Sequence, residues 1–212
     1  GALLAGGQDG VIHPYFLARA LFTAEQRKVL LASVDDLALA QSNIPLRESL
    51  SHTRSMDPIN RVSYLEARCY MLNTLLREAD GMSMAHGFEL RFPLIDHQLV
   101  DQVLAMPGSW KLDGNVPKPL LVGALKGALP DEIVHRKKPR FAPPFEQWLR
   151  EDFRAEVEAA LPKMGRGPLG SILNQESVLQ VWDDFLNKRT SWSCVWSLYV
   201  LEKWCELNSV TA

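Results

Sequence analysis

Two short stretches of the chain concentrate side chains that could do chemistry. The first holds Glu89 and Arg91, two residues apart in a stretch that Pro93 keeps out of helix. Apolar residues surround this pair in the sequence: Met82, Met84, Phe88, Phe92 and Leu94. We expect these neighbours to desolvate both charges in part, so that each charge needs a partner. That partner is either an ion pair within the protein or a bound ligand.

The second stretch is a basic run at residues 135–140. It holds four cationic side chains in six positions (Arg136, Lys137, Lys138 and Arg140), and no acid follows before Glu146. The positive potential of such a run attracts phosphate groups. Taken alone, the run is typical of a solvated basic loop, and the other generic interpretation is a nuclear-import or nucleic-acid-binding patch.

Helices must position both stretches, because no segment shows the alternating pattern of a strand. Thr23 and Gln26 have the spacing of a capping box, and Asp57 before a proline predicts a helix start. The helix that follows should carry one apolar face over about twenty residues, until Gly81 and the cluster after it interrupt the pattern. Asp96 should cap a further helix. The predicted fold class is all-α.

The predicted domain organisation is a loop at 1–12, a helical core at 13–161, a linker at 162–170 and a closing helical pair at 171–212 packed on the same core. The core should end with one amphipathic helix from Phe145 to Leu161, interrupted at most near Asp152. The tryptophan-rich tail is predicted to be structural, with Trp192 and Trp196 in the core.

Composition limits the classes of partner. Hydrophobic residues make up 47% of the 212 residues and the net charge is −2, which favours an ordinary soluble protein with neither nucleic acid nor a membrane as its partner. The three cysteines are widely spaced and favour free thiols in the cytoplasm. The five histidines show no metal-ligand spacing, so we expect no metal site.

The stretch around Glu89 resembles the signature D-R-x-S-M-A-x-S-x-E-x-R-x-P-F-L-D of the asparagine synthase family. The positions in register are Asp80, Ser83, Met84, Ala85, Glu89, Arg91, Pro93 and Asp96. The departures are Gly81 for Arg, Gly87 for Ser, and Leu94-Ile95 for Phe-Leu. By this resemblance Glu89, Arg91, Asp80 and Asp96 support the substrate and nucleotide site.

The basic run and the residues after it are similar to a second motif of the family, H-R-x-K-x-G-F-x-x-P-F-x-x-W-L, in the expected order and at the expected distance from the first. The family's lysine corresponds to Lys138, which the resemblance implies is catalytic: its ammonium would neutralise charge on the α-phosphate and the leaving group. Phe141 and Trp148 should pack behind the loop. Arg140 replaces the family's glycine.

The resemblance implies the helical C-terminal subdomain of an adenine-nucleotide α-hydrolase-like (ATP pyrophosphatase) synthetase domain, without its parallel sheet. The intact enzyme would use ATP, Mg²⁺ and glutamine to convert a carboxylate into its amide. The resemblance favours aspartate as that carboxylate. The phosphate-binding loop and the glutaminase domain are expected to lie outside this chain, which starts like an excised or proteolysed piece. The glycine-rich residues 5–10 favour a surface turn over a phosphate loop.

This fragment alone is therefore expected to be inactive and to bind neither ATP nor Mg²⁺. Its expected partners are the glutaminase domain, the ATP-binding half and the small-molecule substrates, and a homodimer stays open. Two alternatives remain. One is a related amide-forming enzyme, such as a β-lactam synthetase or a tailoring amidotransferase, and the other is a non-catalytic helical interaction module.

Overall fold

The computed structural model describes residues 14–31, 44–114, 116–136 and 142–210. In chain order the α-helices there are α1 (Pro14–Arg19), α2 (Ala24–Leu30), α3 (Ile44–His52), α4 (Pro58–Leu65), α5 (Arg77–Met84), α6 (His97–Ala105), α7 (Pro119–Ala124), α8 (Asp131–Val134), α9 (Phe145–Arg150), α10 (Arg154–Met164), α11 (Gln175–Leu186) and α12 (Trp192–Leu207). A π-helix (Glu66–Leu76) joins α4 to α5, and 3-10 turns lie at Pro93–Ile95 and Gly108–Trp110. Within these ranges the β-structure is one isolated bridge, Leu31 to Leu173, which confirms the all-α prediction for the described part of the chain.

The described residues fall into two compact units. The C-terminal unit comprises residues 14–31 and 142–210, and the central unit comprises residues 44–136 apart from Asn115. The predicted domain boundaries and the nucleotide α-hydrolase-like fold stay predictions.

The C-terminal unit is built around a continuous hydrophobic core. Leu149 of α9, Val157 of α10, Val178 of α11 and Val195 of α12 are fully buried within it. Burying a side chain of this size contributes about 1.5–3 kcal/mol. Trp192 and Trp196 are partly buried and pack against this core, as predicted.

The predicted helix from Phe145 to Leu161 is two helices, α9 and α10. The interruption falls at residues 151–153, where the N–H of Phe153 donates to the carbonyl of Trp148 (2.8 Å). The second helix runs past Leu161 to Met164, so that Pro162 lies inside it.

The central unit contains one long helix, from Pro58 to Met84. Asp57 caps it as predicted: its Oδ1 accepts the N–H groups of Ile59 (2.9 Å) and Asn60 (3.0 Å). The predicted interruption at Gly81 and the cluster after it is wrong for Gly81, because the helix continues past it to Met84, within that cluster.

The predicted single apolar face of this helix is also wrong. Leu65 is fully buried, whereas Leu72 and Leu75 are 44% and 46% exposed. The cause is the winding of residues 66–76, whose π-helical bonds run from residue i to i+5. Apolar residues spaced three and four apart share a face of an α-helix, but they spread around a π-helix.

Candidate functional site

Glu89 and Arg91 are the one pair among the predicted site residues that the described structure joins directly. Arg91 donates from Nε to Glu89 Oε1 (3.0 Å), and its Nη2 lies 3.0 Å from the same oxygen. The two side chains are nevertheless 83% (Arg91) and 68% (Glu89) exposed. An ion pair so open to water contributes little to stability.

The expectation that apolar neighbours desolvate this pair is therefore wrong for the described structure. The neighbours are themselves exposed: Met82 73%, Met84 56%, Phe88 68%, Phe92 42% and Leu94 65%. We refer to residues 82–94 as the signature segment. Its apolar side chains point into solvent and cannot lower the local dielectric around Glu89 and Arg91.

Backbone geometry at the end of α5 sets the direction in which the signature segment leaves the helix. Phe88 N–H donates to the carbonyl of Ser83 and Gly87 N–H to that of Met84, both at 3.0 Å. These two bonds form a Schellman motif, which requires a left-handed residue that Gly87 supplies with φ of +73°. Gly87, which departs from the family's serine, suits this turn because it has no Cβ.

Asp96 lies two residues beyond the signature segment and caps the start of α6, as predicted. Its Oδ1 accepts the N–H of Gln98 at 3.0 Å, which makes it the N-cap. A carboxylate at this position also interacts favourably with the helix dipole. The role that the described structure gives Asp96 is to fix the start of a helix.

Asp80 lies on the exposed surface of α5, where its backbone carbonyl accepts a bond from the Ser83 hydroxyl (3.1 Å). The neighbouring Gly81 has open space where a Cβ would stand, with nothing within 4 Å. The helix therefore has room for the larger residue that the family signature carries at that position.

The predicted catalytic residue, Lys138, lies outside the described residues, as do Lys137, Arg140 and Phe141. Its position and its role stay predictions. The structure describes the chain again from Ala142, where Pro143 and Pro144 lead into α9.

Four aromatic residues form a cluster around the start of α9: Phe145, Trp148, Trp192 and Trp196. The ring of Phe145 stacks on Trp192 (centroids 4.7 Å apart, planes 7° apart). It also packs against Trp196 at 5.0 Å and edge-on against Trp148 at 5.4 Å.

Arg150 is a positioning contact that the sequence interpretation missed. Its guanidinium donates to the carbonyls of Phe185 (2.7 Å) and Leu186 (3.1 Å), and it stands 4.3 Å above the Phe185 ring. Nothing local in the sequence indicates that its partners lie at the end of α11.

No three His, Cys, Asp or Glu side chains in the described ranges form a group that could hold a metal ion. The same ranges contain no helix that is long and apolar enough to cross a membrane. Cys69, Cys194 and Cys205 are free thiols, as predicted.

Comparison with known proteins places these observations in a family. The model of the asparagine synthase family matches residues 7–206. The chain is 26% identical over 159 residues to glutamine-hydrolysing asparagine synthetase 1 of Bacillus subtilis (strain 168), which covers 74% of the chain and 25% of that protein. It is 31% identical over 149 residues to synthetase 3 of the same organism (63% of the chain, 24% of that protein).

A putative glutamine-hydrolysing asparagine synthetase of Mycobacterium tuberculosis (strain H37Rv) is 25% identical over 170 residues, 80% of the chain and 25% of that protein. The chain thus spans about a quarter of the length of the curated relatives that it matches. No solved structure matches it. The family match extends over nearly the whole chain and includes both motifs, so the chain belongs to the asparagine synthase family.

Proposed function

We propose that this chain is the helical part of an ATP-dependent, glutamine-dependent amidotransferase. In the proposed reaction a substrate carboxylate attacks the α-phosphate of ATP and releases pyrophosphate. The proposed substrate is aspartate. Ammonia from glutamine then attacks the acyl-adenylate and forms the amide, with AMP and a proton leaving. The observation that carries the proposal is the family match over residues 7–206, with both motifs in order inside it.

Lys138 would act where negative charge builds up on the α-phosphate oxygens as the acyl–oxygen bond to AMP breaks. A preorganised cation there lowers the energy of the transition state more than that of the bound substrate. An ammonium on a flexible stem also suits a phosphoryl group that moves during the reaction. Glu89, Arg91, Asp80 and Asp96 would support the wall of the site.

The surface of the central unit supports the idea that further polypeptide completes the enzyme. Leu65 is the one buried hydrophobic side chain in the described part of this unit, while the apolar residues of the signature segment face solvent. Several large apolar side chains left exposed in one segment favour a place where another surface packs. We propose that it meets the ATP-binding half, and that a glutaminase domain supplies ammonia.

ATP and Mg²⁺ belong to the complete enzyme in this proposal. The described residues form no carboxylate cluster for the metal ion, so none of them is assigned as its ligand. The exposed Glu89–Arg91 pair can exchange its mutual contact for new partners at small cost, because a surface ion pair is worth little.

The test is an assay of the complete protein with ATP, glutamine and a panel of carboxylates, including aspartate and β-amino acids. We expect AMP, pyrophosphate and one amide to form in equal amounts, with aspartate as the preferred acceptor. Amide formation from another acceptor only, or lactam closure of a β-amino acid, would assign a tailoring amidotransferase or a β-lactam synthetase. No ATP binding and no AMP release with any acceptor would leave the non-catalytic interaction module.

A further inference from the structure

The buried face of α12 carries a charged residue at a position where an apolar residue is expected. Val195, Leu198 and Cys205 are buried on this face, and Glu202 lies between Leu198 and Cys205 in the same three-and-four spacing. The helix packs against α10, and Glu202 is only 8% exposed. An ionised carboxylate in such a place destabilises the fold unless a partner compensates for the lost hydration.

One oxygen of Glu202 has no such partner among the described residues. Its Oε2 is buried and accepts no hydrogen bond there. Burial raises the pKa of the Glu202 carboxyl, and the nearby carboxylate of Glu206 raises it further. The charges of Lys163 and Lys203 act in the opposite direction. Lys203 donates its hydrogen bond to Glu206 (2.8 Å), so Glu202 Oε2 is left without a donor.

Glu202 lies in the wall of an open cleft of about 520 Å³, which the end of α10, the turn after it and the end of α12 form. We refer to it as the α10–α12 cleft. Sites for small molecules have volumes of this order. Two cations, Lys163 and Arg166, also line the cleft, and neither forms an ion pair with another described residue. Three apolar residues line it as well: Pro162, Pro168 and Val210.

The walls of the α10–α12 cleft are held by the core of the C-terminal unit. Met164, the last residue of α10, is fully buried in that core. In the turn that follows, the N–H groups of Arg166 and Gly167 both donate to the carbonyl of Lys163 at 2.9 Å. The two cations are thus attached to one short, hydrogen-bonded turn, and Glu202 faces the cleft from the helix packed beside it.

We propose that the α10–α12 cleft binds a free amino acid with an apolar side chain. The ligand's ammonium donates to Glu202, and its carboxylate meets Arg166 and Lys163. The apolar side chain lies against the prolines and the valine of the wall. Hydrogen bonds between charged groups are the strong ones, and the terminal torsion of a glutamate is broad, so that the carboxylate can turn towards a ligand at small cost.

The charges of the cleft select a zwitterion over simpler ligands. A plain anion would meet the unpartnered carboxylate of Glu202, and a plain cation would meet Lys163 and Arg166. A molecule that carries both an ammonium and a carboxylate can complement both signs at once. The ligand also supplies the donor that Glu202 Oε2 lacks, so part of the destabilisation of the buried carboxylate is relieved only in the complex.

The experiment is calorimetry on the complete protein at neutral pH, with leucine as the probe. Leucine has an apolar side chain and is neither the carboxylate nor the ammonia source of the proposed reaction. We expect one leucine to bind per chain. N-acetylleucine, which lacks the ammonium, should bind about 10- to 100-fold more weakly. Leucinol, which lacks the carboxylate, should also bind more weakly than leucine. No binding of leucine, or equal binding of all three compounds, would overturn the inference.

Two variants assign the binding to the cleft. Glu202→Gln keeps the shape of the side chain and removes the buried charge, so it should weaken leucine binding by about 10- to 100-fold without lowering the melting temperature. Arg166→Ala, at an exposed residue, should weaken it by about 2- to 5-fold. The matched control is Glu158→Gln, at an exposed glutamate of α10 outside the cleft, which should bind leucine like the wild type.

Unchanged affinity of Glu202→Gln, or equal losses from Glu202→Gln and Glu158→Gln, would contradict the assignment. If Glu202→Gln does not fold, Arg166→Ala decides, and unchanged affinity of that variant overturns the inference. The inference uses no residue of the proposed reaction. A wild-type protein that binds leucine through Glu202 but makes no amide would overturn the proposed function alone. One that makes amide but does not bind leucine would overturn this inference alone.

Discussion

Asp57 joins two parts of the central unit through a single carboxylate. Beyond its two cap bonds, its Oδ2 accepts Asn60 Nδ2 (2.8 Å) and the N–H of Gly108 (3.2 Å). A Cβ on Gly108 would collide with this carboxylate, so the close approach requires glycine there. Asn60 continues the network by donating to the carbonyl of Met106 (3.0 Å) and accepting from Lys111.

This network makes the stability of the central unit depend on pH. The backbone hydrogen bond from Asn60, together with those from Gly108 and Ile59 and the charge of Lys111, lowers the pKa of Asp57 below its ordinary value of 3.8. A carboxylate with a lowered pKa stabilises the fold above the unfolded-state pKa, and this contribution is lost as the pH falls through the folded-state pKa.

Asp57→Asn, which keeps the shape of the side chain and removes its charge, should therefore lower the melting temperature at neutral pH. The difference from the wild type should begin to shrink as the pH falls below the unfolded-state pKa of about 3.9, and it should be lost as the pH passes the lower folded-state pKa. Thermal melts across this range provide the measurement, with the exposed Asp101→Asn as the control for loss of one charge. A difference that is unchanged at low pH would show that charge is not what Asp57 contributes.

At the scale of the element, substitution by alanine should have opposite effects at the glycine within α5 and at the glycine in the turn that ends it. Gly81 lies within the helix with open space around it, so Gly81→Ala should stabilise the protein by about 0.5–1 kcal/mol. Gly87 has φ of +73°, so Gly87→Ala should destabilise it by about 1 kcal/mol or more. Denaturant unfolding gives the change in the free energy of unfolding for each variant. Changes of the same sign would contradict this account of the turn.

The helix starts were predictable because the bonds that make them are local. Thr23 and Gln26 form the expected capping box, with bonds of 3.2 Å and 2.9 Å, and Asp57 and Asp96 cap as expected. The π-helical winding of residues 66–76 was not predictable, because the same apolar spacing fits an α-helix. Within it, the side-chain Nδ2 of Asn73 donates to the backbone carbonyls of Arg68 (3.2 Å) and Cys69 (2.8 Å).

At the scale of the whole molecule, the predicted desolvation of Glu89 and Arg91 failed because it required a surface that the described residues do not provide. Sequence neighbours can desolvate a charge only when something packs over them. The C-terminal unit, by contrast, buries its own apolar residues, and its aromatic core was predictable from helical spacing.

The same reasoning predicts how the isolated 212 residues behave towards ATP. The triphosphate would meet only Lys138 and its basic neighbours, and exposed charges are strongly screened by water and salt. We expect weak binding or none by calorimetry with Mg²⁺ and ATP, and clear binding by the complete protein. Micromolar, Mg²⁺-dependent binding to the isolated chain would contradict this and would assign residues 5–10 as a phosphate site.

The most direct test of the account compares Lys138→Ala with Lys137→Ala in the complete protein. The two lysines are adjacent in the sequence, and the family register selects Lys138. We predict that Lys138→Ala lowers the kcat of amide formation by about 100- to 1,000-fold, with a much smaller effect on the KM for ATP and with glutamine hydrolysis intact. Lys137→Ala should be mild. Equal and large losses from both variants, or a larger loss from Lys137→Ala, would contradict the assignment of Lys138.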